Sequence, residues 1–354
     1  MNKLFYIIQW CVLVLCITPS TKKGMYTKLR QLIGGCIYVF FAMVRDVTFN
    51  PRLDAYAYYN LYSLADMPLK KYLVFSNVEP GYSFLTWVFK NIFNSYVMLL
   101  LLTYLFIYCC YCYFLNNLPK QKGLLCVSAI LGLDLFTAYY LQRNMLAVAI
   151  SLIMLIFLYN KKYLKAFLIL VCSVMFHYSA IIFFPVFVFS YLRDNSKLKK
   201  GSVNVLEMLS LIICFLGTKI LNEIFLGNQK YSVYNNSGSL AIGTYLFSAI
   251  TIVLFLKQKG KFQKELPFLN FLGMSFLGVI FVLPLQMMNS IMYRMLLFFL
   301  PLLIIMLNYC VKEYINTRRY YLYNSIFLIY CIYRIYTFFN QELVYIGMPY
   351  KWIF

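Results

Sequence analysis

Residues 45–82 read RDVTFNPRLDAYAYYNLYSLADMPLKKYLVFSNVEPGY, a polar stretch in a chain of which 63% of the 354 residues are hydrophobic. Four of the eleven carboxylates of the chain lie within it: Asp46, Asp54, Asp66 and Glu79. Apolar segments flank it, at residues 31–44 and 96–115. A plain connection between two packed elements is usually only a few residues long. The length and charge of this stretch therefore indicate a role of its own.

The composition predicts a membrane protein. Mean hydropathy is +0.73, with 12% charged and 20% aromatic residues, which lies outside the range of soluble globular domains. Apolar segments long enough to cross a bilayer recur along the whole chain. We therefore predict an all-α fold: a single polytopic transmembrane domain over residues 1–354.

The basic residues predict the orientation of this domain. Twenty of the 32 Lys and Arg residues fall in six short stretches, at residues 22–30, 120–122, 161–165, 193–200, 257–264 and 312–319. Lys and Arg concentrate in cytoplasmic loops, so this pattern accounts for the net charge of +21 without a nucleic-acid partner. With all six stretches in the cytoplasm, both termini and residues 45–95 are expected on the outer face.

If successive apolar segments cross the membrane in alternating directions and the basic stretches stay inside, the chain has about twelve transmembrane helices, with the long outer loop after the second. The spans are expected near residues 4–19, 31–44, 96–115, 124–141, 144–159, 164–176, 178–192, 203–225, 241–256, 267–285, 291–311 and 320–339. Residues 164–192 have basic stretches at both ends, which favours a hairpin that turns at His177 over the alternative of one long tilted helix. Residues 80–96 are too short and polar to span, and they predict an interfacial half-helix with Pro80 in its first turn.

In this topology, ionisable residues from distant segments meet at one level on the outer face. They are Arg45, Asp54, Glu79, Arg143, His177 and Arg294. Ionisable side chains at membrane depth are unfavourable and usually line a cavity or pathway. The convergence is the informative part, because each residue alone has a simpler explanation. Arg143 or Arg294 could be a helix-end residue that reaches the interface. The histidine could be a packing residue, and Asp54 and Glu79 could be helix caps.

The residue types suit one kind of chemistry. Guanidinium groups form paired hydrogen bonds with phosphate oxygens and stay charged, so two or more arginines on an outer cavity predict a diphosphate site. A carboxylate or the histidine is a candidate general base for a sugar hydroxyl. Asp54, Tyr58 and Tyr62 lie on one helix face, which suits a sugar site and is equally typical of an ordinary interfacial helix.

The order of these motifs resembles that of the Wzy-type O-antigen and capsular polysaccharide polymerases, and more closely that of their EpsG-like relatives. The motifs are Arg45, then Asp54-x-x-x-Tyr58, Glu79-Pro80-Gly81-Tyr82, Arg143-Asn144-x-x-Ala147, Phe176-His177-Tyr178-Ser179-Ala180 and Tyr293-Arg294. The resemblance covers residues 30–310. One departure is Arg52-Leu53 before Asp54, where the family tends to have Gly.

The resemblance implies a glycosyltransferase of the bacterial cytoplasmic membrane. It would move a growing glycan from undecaprenyl diphosphate to the non-reducing end of another lipid-linked oligosaccharide on the outer face. We expect no cofactor and no metal ion, and a chain-length regulator protein as a further partner beside the membrane lipid.

For this activity we assign diphosphate binding to Arg143, Arg294 and Arg45. We assign sugar binding to Tyr58, Tyr62 and Tyr82, and acceptor activation or ordering of the loop to His177, Asp54 and Glu79, with the identity of the base left open. Two other functions compete with polymerisation. They are a flippase for lipid-linked oligosaccharides and a glycosyltransferase that uses a lipid-phosphate sugar.

Overall fold

The computed structural model describes residues 3–19, 25–48, 54–118, 124–195, 293–312 and 318–342. Within these ranges the chain is helical and contains no strand, which confirms the all-α prediction. The spans expected at residues 203–225, 241–256 and 267–285 lie outside the described residues.

Most helix boundaries follow the apolar segments, but α2 begins before the predicted span and includes Lys28 and Arg30 of the first basic stretch, and α10 begins six residues after the predicted start. The α-helices are α1 Lys3–Ile17, α2 Met25–Met43, α3 Asp54–Ser63, α4 Leu69–Phe75, α5 Pro80–Phe93, α6 Tyr96–Asn117, α7 Leu124–Thr137, α8 Gln142–Tyr159, α9 Tyr163–Phe176, α10 Phe184–Asn195, α11 Tyr293–Lys312 and α12 Arg318–Thr337. A 3₁₀ segment, Tyr178–Phe183, precedes α10, and a π-helical turn, Phe338–Glu342, follows α12.

In the described part of the chain, α6 and α8 are long and apolar enough to cross a membrane. Several other apolar helices, among them α7 and α9, are shorter. These two helices agree with the predicted membrane protein, and the count of twelve spans stays a prediction.

The chain divides into two compact units. The first comprises residues 1–156, 168–178 and 324–354, and the second comprises residues 157–167 and 179–323. In the first unit, α1, α2, α6 and α7 pack together. The Tyr38 ring stacks on that of Tyr139 with centroids 5.1 Å apart. Tyr38 on α2 donates to the Leu135 carbonyl of α7 at 2.7 Å, and Tyr139, in the turn after α7, donates to the Tyr38 carbonyl at 2.8 Å.

Gly34 allows α2 to approach its neighbours closely. A Cβ atom at this position would lie 2.4 Å from Cys16 Cβ on α1 and 2.4 Å from the Tyr108 hydroxyl on α6. The same hydroxyl donates to the Gln31 carbonyl at 2.8 Å. Small residues at such crossings permit close backbone contact between membrane helices, so the α1–α2–α6 packing depends on this glycine.

Substituting Gly34→Ala should lower the free energy of unfolding by about 1–3 kcal/mol, because the added methyl group overpacks the crossing. Thermal unfolding of the purified protein in detergent measures this. Cys36→Ala is the control, since Cys36 lies exposed on the same helix, and it should unfold at the wild-type temperature. Equal melting temperatures for Gly34→Ala and wild type would contradict the close packing.

The polar stretch folds into three helices, α3 to α5, which we call the insertion (residues 54–93). The predicted half-helix is present as α5, which begins at Pro80 and ends before Asn94 in the left-handed conformation. The short helix α4 was not predicted.

Hydrogen bonds from side chains to backbone connect the helices of the insertion. The Tyr72 hydroxyl of α4 donates to the Leu61 carbonyl of α3 at 2.9 Å, and Trp87 Nε1 of α5 donates to the Met67 carbonyl at 2.9 Å. Burial raises the pKa of Tyr72 to about 12, so its hydroxyl stays protonated at neutral pH and keeps donating. The insertion therefore consists of helices packed on one another rather than an open loop.

In the second unit, the N-terminal end of α9 lies against α10. The ring pairs in contact are Tyr163 with Tyr191, at 5.2 Å, and Phe167 with Phe187, at 5.6 Å. Phe167 follows Tyr163 on α9, whereas Phe187 precedes Tyr191 on α10 by the same number of residues. The two helices therefore run antiparallel. This confirms the hairpin over one long helix, with the helical run broken at His177 as expected. That each leg crosses the membrane stays a prediction.

Candidate active site

Glu79 lies at the centre of a polar cluster in the first unit. It immediately precedes α5, yet its side chain makes no capping hydrogen bond to that helix. Its carboxylate instead accepts from Arg143 Nη1, at 2.5 Å from Oε2. The other oxygen, Oε1, lies 3.6 Å from His177 Nδ1 and 3.4 Å from the Tyr178 amide nitrogen. The buried Glu79 carboxylate thus contacts Arg143, which lies 64 positions later in the sequence, and Tyr178, which lies 99 positions later.

Local sequence explains why Glu79 occupies this place. Pro80 begins α5, and its fixed φ suits the first helical position. Gly81 packs against the end of α9, where a Cβ atom would lie 2.8 Å from the Met175 carbonyl oxygen. Met175 is two residues before His177. The glycine therefore allows the start of α5 to reach the backbone beside His177.

Arg143, at the start of α8, is enclosed by aromatic rings from the insertion. Its guanidinium carbon lies 5.4 Å from the centroid of Tyr58 and 5.9 Å from that of Tyr82, both within range of a cation–π interaction. Its side chain is 19% exposed. Arg143 Nε has no hydrogen-bond partner among the described residues, so the guanidinium keeps a donor beyond its pair with Glu79.

Gln142 continues this polar surface. The Tyr82 hydroxyl donates to Gln142 Oε1 at 3.3 Å, and Gln142 Nε2 has no hydrogen-bond partner in the described part of the chain although the residue is 1% exposed. Burial, followed by the neighbouring Tyr96 and Tyr58, raises the pKa of Tyr82 well above its usual value, and Arg143 opposes this only in part. Tyr82 therefore serves as a hydrogen-bond donor and not as a base.

The cluster joins the Glu-Pro-Gly-Tyr motif of the insertion to the Arg-Asn motif of α8 and the His-Tyr motif after α9. A model of the EpsG family matches residues 31–352. The chain belongs to the EpsG family. No curated protein and no solved structure matches it. EpsG membership associates the chain with polysaccharide polymerisation, a glycosyltransferase-like activity, and with a membrane location.

Five of the predicted site residues of this EpsG protein come together. Glu79, Arg143, His177, Tyr58 and Tyr82 are linked by the contacts given above. The alternative of Glu79 as a helix cap alone is wrong, because its carboxylate makes no bond to α5.

For the other predicted residues the structure gives different contacts. Arg45 is buried, donates from Nη1 to the Tyr139 carbonyl at 3.0 Å and lies 4.6 Å from the Tyr139 ring. Tyr62 packs in an apolar cluster with Phe89 and Leu99. The roles proposed for these residues stay predictions.

Asp54 and Arg294 each lie at the start of a helix. Asp54 is the first residue of α3, where a carboxylate favours the helix dipole. Arg294 is the second residue of α11, in the second unit. Their proposed roles also stay predictions.

Gln142 is the site residue that sequence reasoning missed. It directly precedes Arg143 in the Gln-Arg-Asn turn, and that position at a helix start was the available signal. Among the residues that the structure describes, no group of three His, Cys, Asp or Glu side chains is placed to hold a metal ion.

Replacing Gly81 with Ala should separate α5 from the end of α9 and lower the free energy of unfolding by about 1–3 kcal/mol, because the methyl group meets backbone atoms that cannot rotate away. Denaturant unfolding of the purified protein measures this. Phe84→Ala on the same helix is the control, because its ring is exposed. If Gly81→Ala unfolds like Phe84→Ala, α5 does not depend on contact with Met175.

Proposed function

We propose that this EpsG protein is a polysaccharide repeat-unit polymerase, and that Arg143 binds the diphosphate of its lipid-linked donor. The observation that carries the proposal is the Arg143 guanidinium, enclosed by Tyr58 and Tyr82 and already paired with an anionic side chain. A position that holds a carboxylate at 2.5 Å suits another oxyanion.

Neighbouring groups support an anion at this position. Arg143 Nε and Gln142 Nε2 are donors with no acceptor among the described residues. Both belong to the first turn of α8, where unpaired backbone N–H groups and the helix dipole favour negative charge. We assign the donor diphosphate to this end of α8. The cationic roles of Arg45 and of Arg294, which lies in the second unit, are proposed from the sequence alone.

The reaction forms one glycosidic bond and breaks one bond to phosphate. The hydroxyl oxygen at the non-reducing end of the acceptor unit attacks the anomeric carbon of the donor glycan. The bond from that carbon to the diphosphate oxygen breaks, and undecaprenyl diphosphate leaves with the electron pair. The hydroxyl proton passes to a general base, so atoms and charge balance without a nucleotide.

We assign the base to His177. Its Nδ1 faces the Glu79 carboxylate, which places Nε2 on the opposite side of the ring. A carboxylate beside one ring nitrogen fixes the tautomer and stabilises the imidazolium formed when the other nitrogen takes a proton. Asp54 would position the acceptor sugar, with Tyr58, Tyr62 and Tyr82 as its aromatic contacts.

The substrates place the reaction on the outer face of the bacterial cytoplasmic membrane, where flipped undecaprenyl-diphosphate units are found. This agrees with the expected outer position of the insertion. A chain-length regulator is the proposed protein partner.

Arg143→Ala should abolish polymer while single lipid-linked units remain, with at least about a 100-fold loss of polymerisation, because removal of one preorganised donor to a developing anion has effects of that size. Arg143→Lys should be similarly impaired, since lysine lacks the planar fork. The measurement is the ladder of repeat units made by a deletion strain that expresses each variant at equal membrane level. Arg294→Ala tests the second proposed cationic contact in the same assay.

Lys71→Ala is the matched control. It removes one positive charge from the exposed surface of α4 and should leave a full ladder. A full-length ladder from Arg143→Ala would contradict the diphosphate role. A deletion strain that transfers no unit to the outer face at all would instead indicate a flippase.

A further inference from the structure

We propose that Glu79 is an internal stand-in for the donor diphosphate, which holds Arg143 before the donor binds and turns to His177 when the diphosphate takes its place. Binding of the donor would thereby switch on the base. This inference rests on the proposed function of Arg143 and His177, and adds a binding order to it, with the donor before proton transfer.

The two oxygens of Glu79 have unequal partners. Oε2 lies 2.5 Å from Arg143 Nη1, a close charge-assisted hydrogen bond, whereas Oε1 lies 3.6 Å from His177 Nδ1. The second distance is too long for a hydrogen bond, which needs roughly 2.7–3.2 Å between nitrogen and oxygen. A displacement of the carboxylate by about 1 Å would reverse this preference.

The backbone confines the movement to the Glu79 side chain. Gly81 lies against the Met175 backbone, and the Ser83 amide donates to the Glu79 carbonyl at 3.0 Å in the first turn of α5. The Glu79 side chain makes no capping bond that would restrain it. The Tyr178 amide already faces Oε1 at 3.4 Å and provides a donor on the His177 side.

Burial supplies the driving force for Glu79 to turn toward His177 once the diphosphate has taken Arg143. Glu79 is 6% exposed, and a buried carboxylate that loses its cation is strongly destabilised. When a diphosphate takes Arg143, the described groups that still face Glu79 are the His177 imidazole and the Tyr178 amide, while Tyr58 and Tyr82 stay with the guanidinium. Protonation of His177 would restore a charge partner. The imidazole thus becomes a stronger base once the donor is bound.

Glu79 also competes with the donor for Arg143. Glu79→Gln keeps the shape of the side chain but removes its charge, so inorganic pyrophosphate should bind the purified full-length variant about tenfold more tightly than wild type, equal to about 1.4 kcal/mol. Isothermal titration calorimetry in detergent measures this. Asp66→Asn is the matched control, since it removes an exposed carboxylate of the insertion and should bind as wild type does.

A second measurement compares the titration of His177 in wild type and in Glu79→Gln. His177 is the only histidine of the chain, so NMR of protein labelled at histidine reports one imidazole. Saturating pyrophosphate should move the titration midpoint of this signal to higher pH by about 1 unit more in wild type than in Glu79→Gln, whose smaller shift reports the added anion alone.

The outcomes separate the switch from the proposed function. Equal binding of pyrophosphate to wild type and Arg143→Ala would overturn the diphosphate role of Arg143. If binding depends on Arg143 but Glu79→Gln binds no more tightly than wild type, the competition fails and Glu79 is a fixed positioning residue. Equal shifts of the His177 signal in wild type and Glu79→Gln would likewise overturn the switch and leave the diphosphate role intact.

Discussion

A buried carboxylate is stable only beside a cation, and the pair that Glu79 forms with Arg143 connects the insertion to α8. Glu79 is 6% exposed and accepts from Arg143 at the start of α8. Each charge alone would be strongly unfavourable at this depth. The insertion and α8 must therefore dock in one register, and that register brings His177 to the second carboxylate oxygen.

The four residues of the Glu-Pro-Gly-Tyr motif act together in this docking. Glu79 contacts Arg143 and His177, Pro80 begins α5, Gly81 meets the Met175 backbone, and Tyr82 donates to Gln142. Two helix ends from later in the chain are thus fixed by consecutive residues of one turn. Hydrogen bonds such as that from Tyr72 to Leu61 also connect the helices of the insertion to one another.

The sequence predicted most of the helices and the meeting of Glu79, Arg143 and His177, but not which atoms pair. Apolar length and Pro80 are local signals, so most helix boundaries and the start of α5 agree with expectation, whereas α4 was not predicted. The spacing of Tyr58 and Tyr62 predicted one helix face, and both residues are buried in α3. Periodicity does not predict which residues contact these two rings. The Tyr58 ring lies beside the Arg143 guanidinium, whereas Tyr62 packs on Phe89. The hydrogen bond from Arg45 to the Tyr139 carbonyl could not be predicted either, because any residue type offers a backbone carbonyl.

The aromatic enclosure of Arg143 bears on why an arginine suits this place. An exposed guanidinium loses water and rotamer freedom when it binds an anion. Arg143 has already lost much of both, because the rings of Tyr58 and Tyr82 lie beside it and Glu79 fixes its direction. Hydrogen bonds to an anion are also stronger where water is excluded. A diphosphate that replaces Glu79 would meet a cation already oriented, so most of the ordering is complete before the donor arrives.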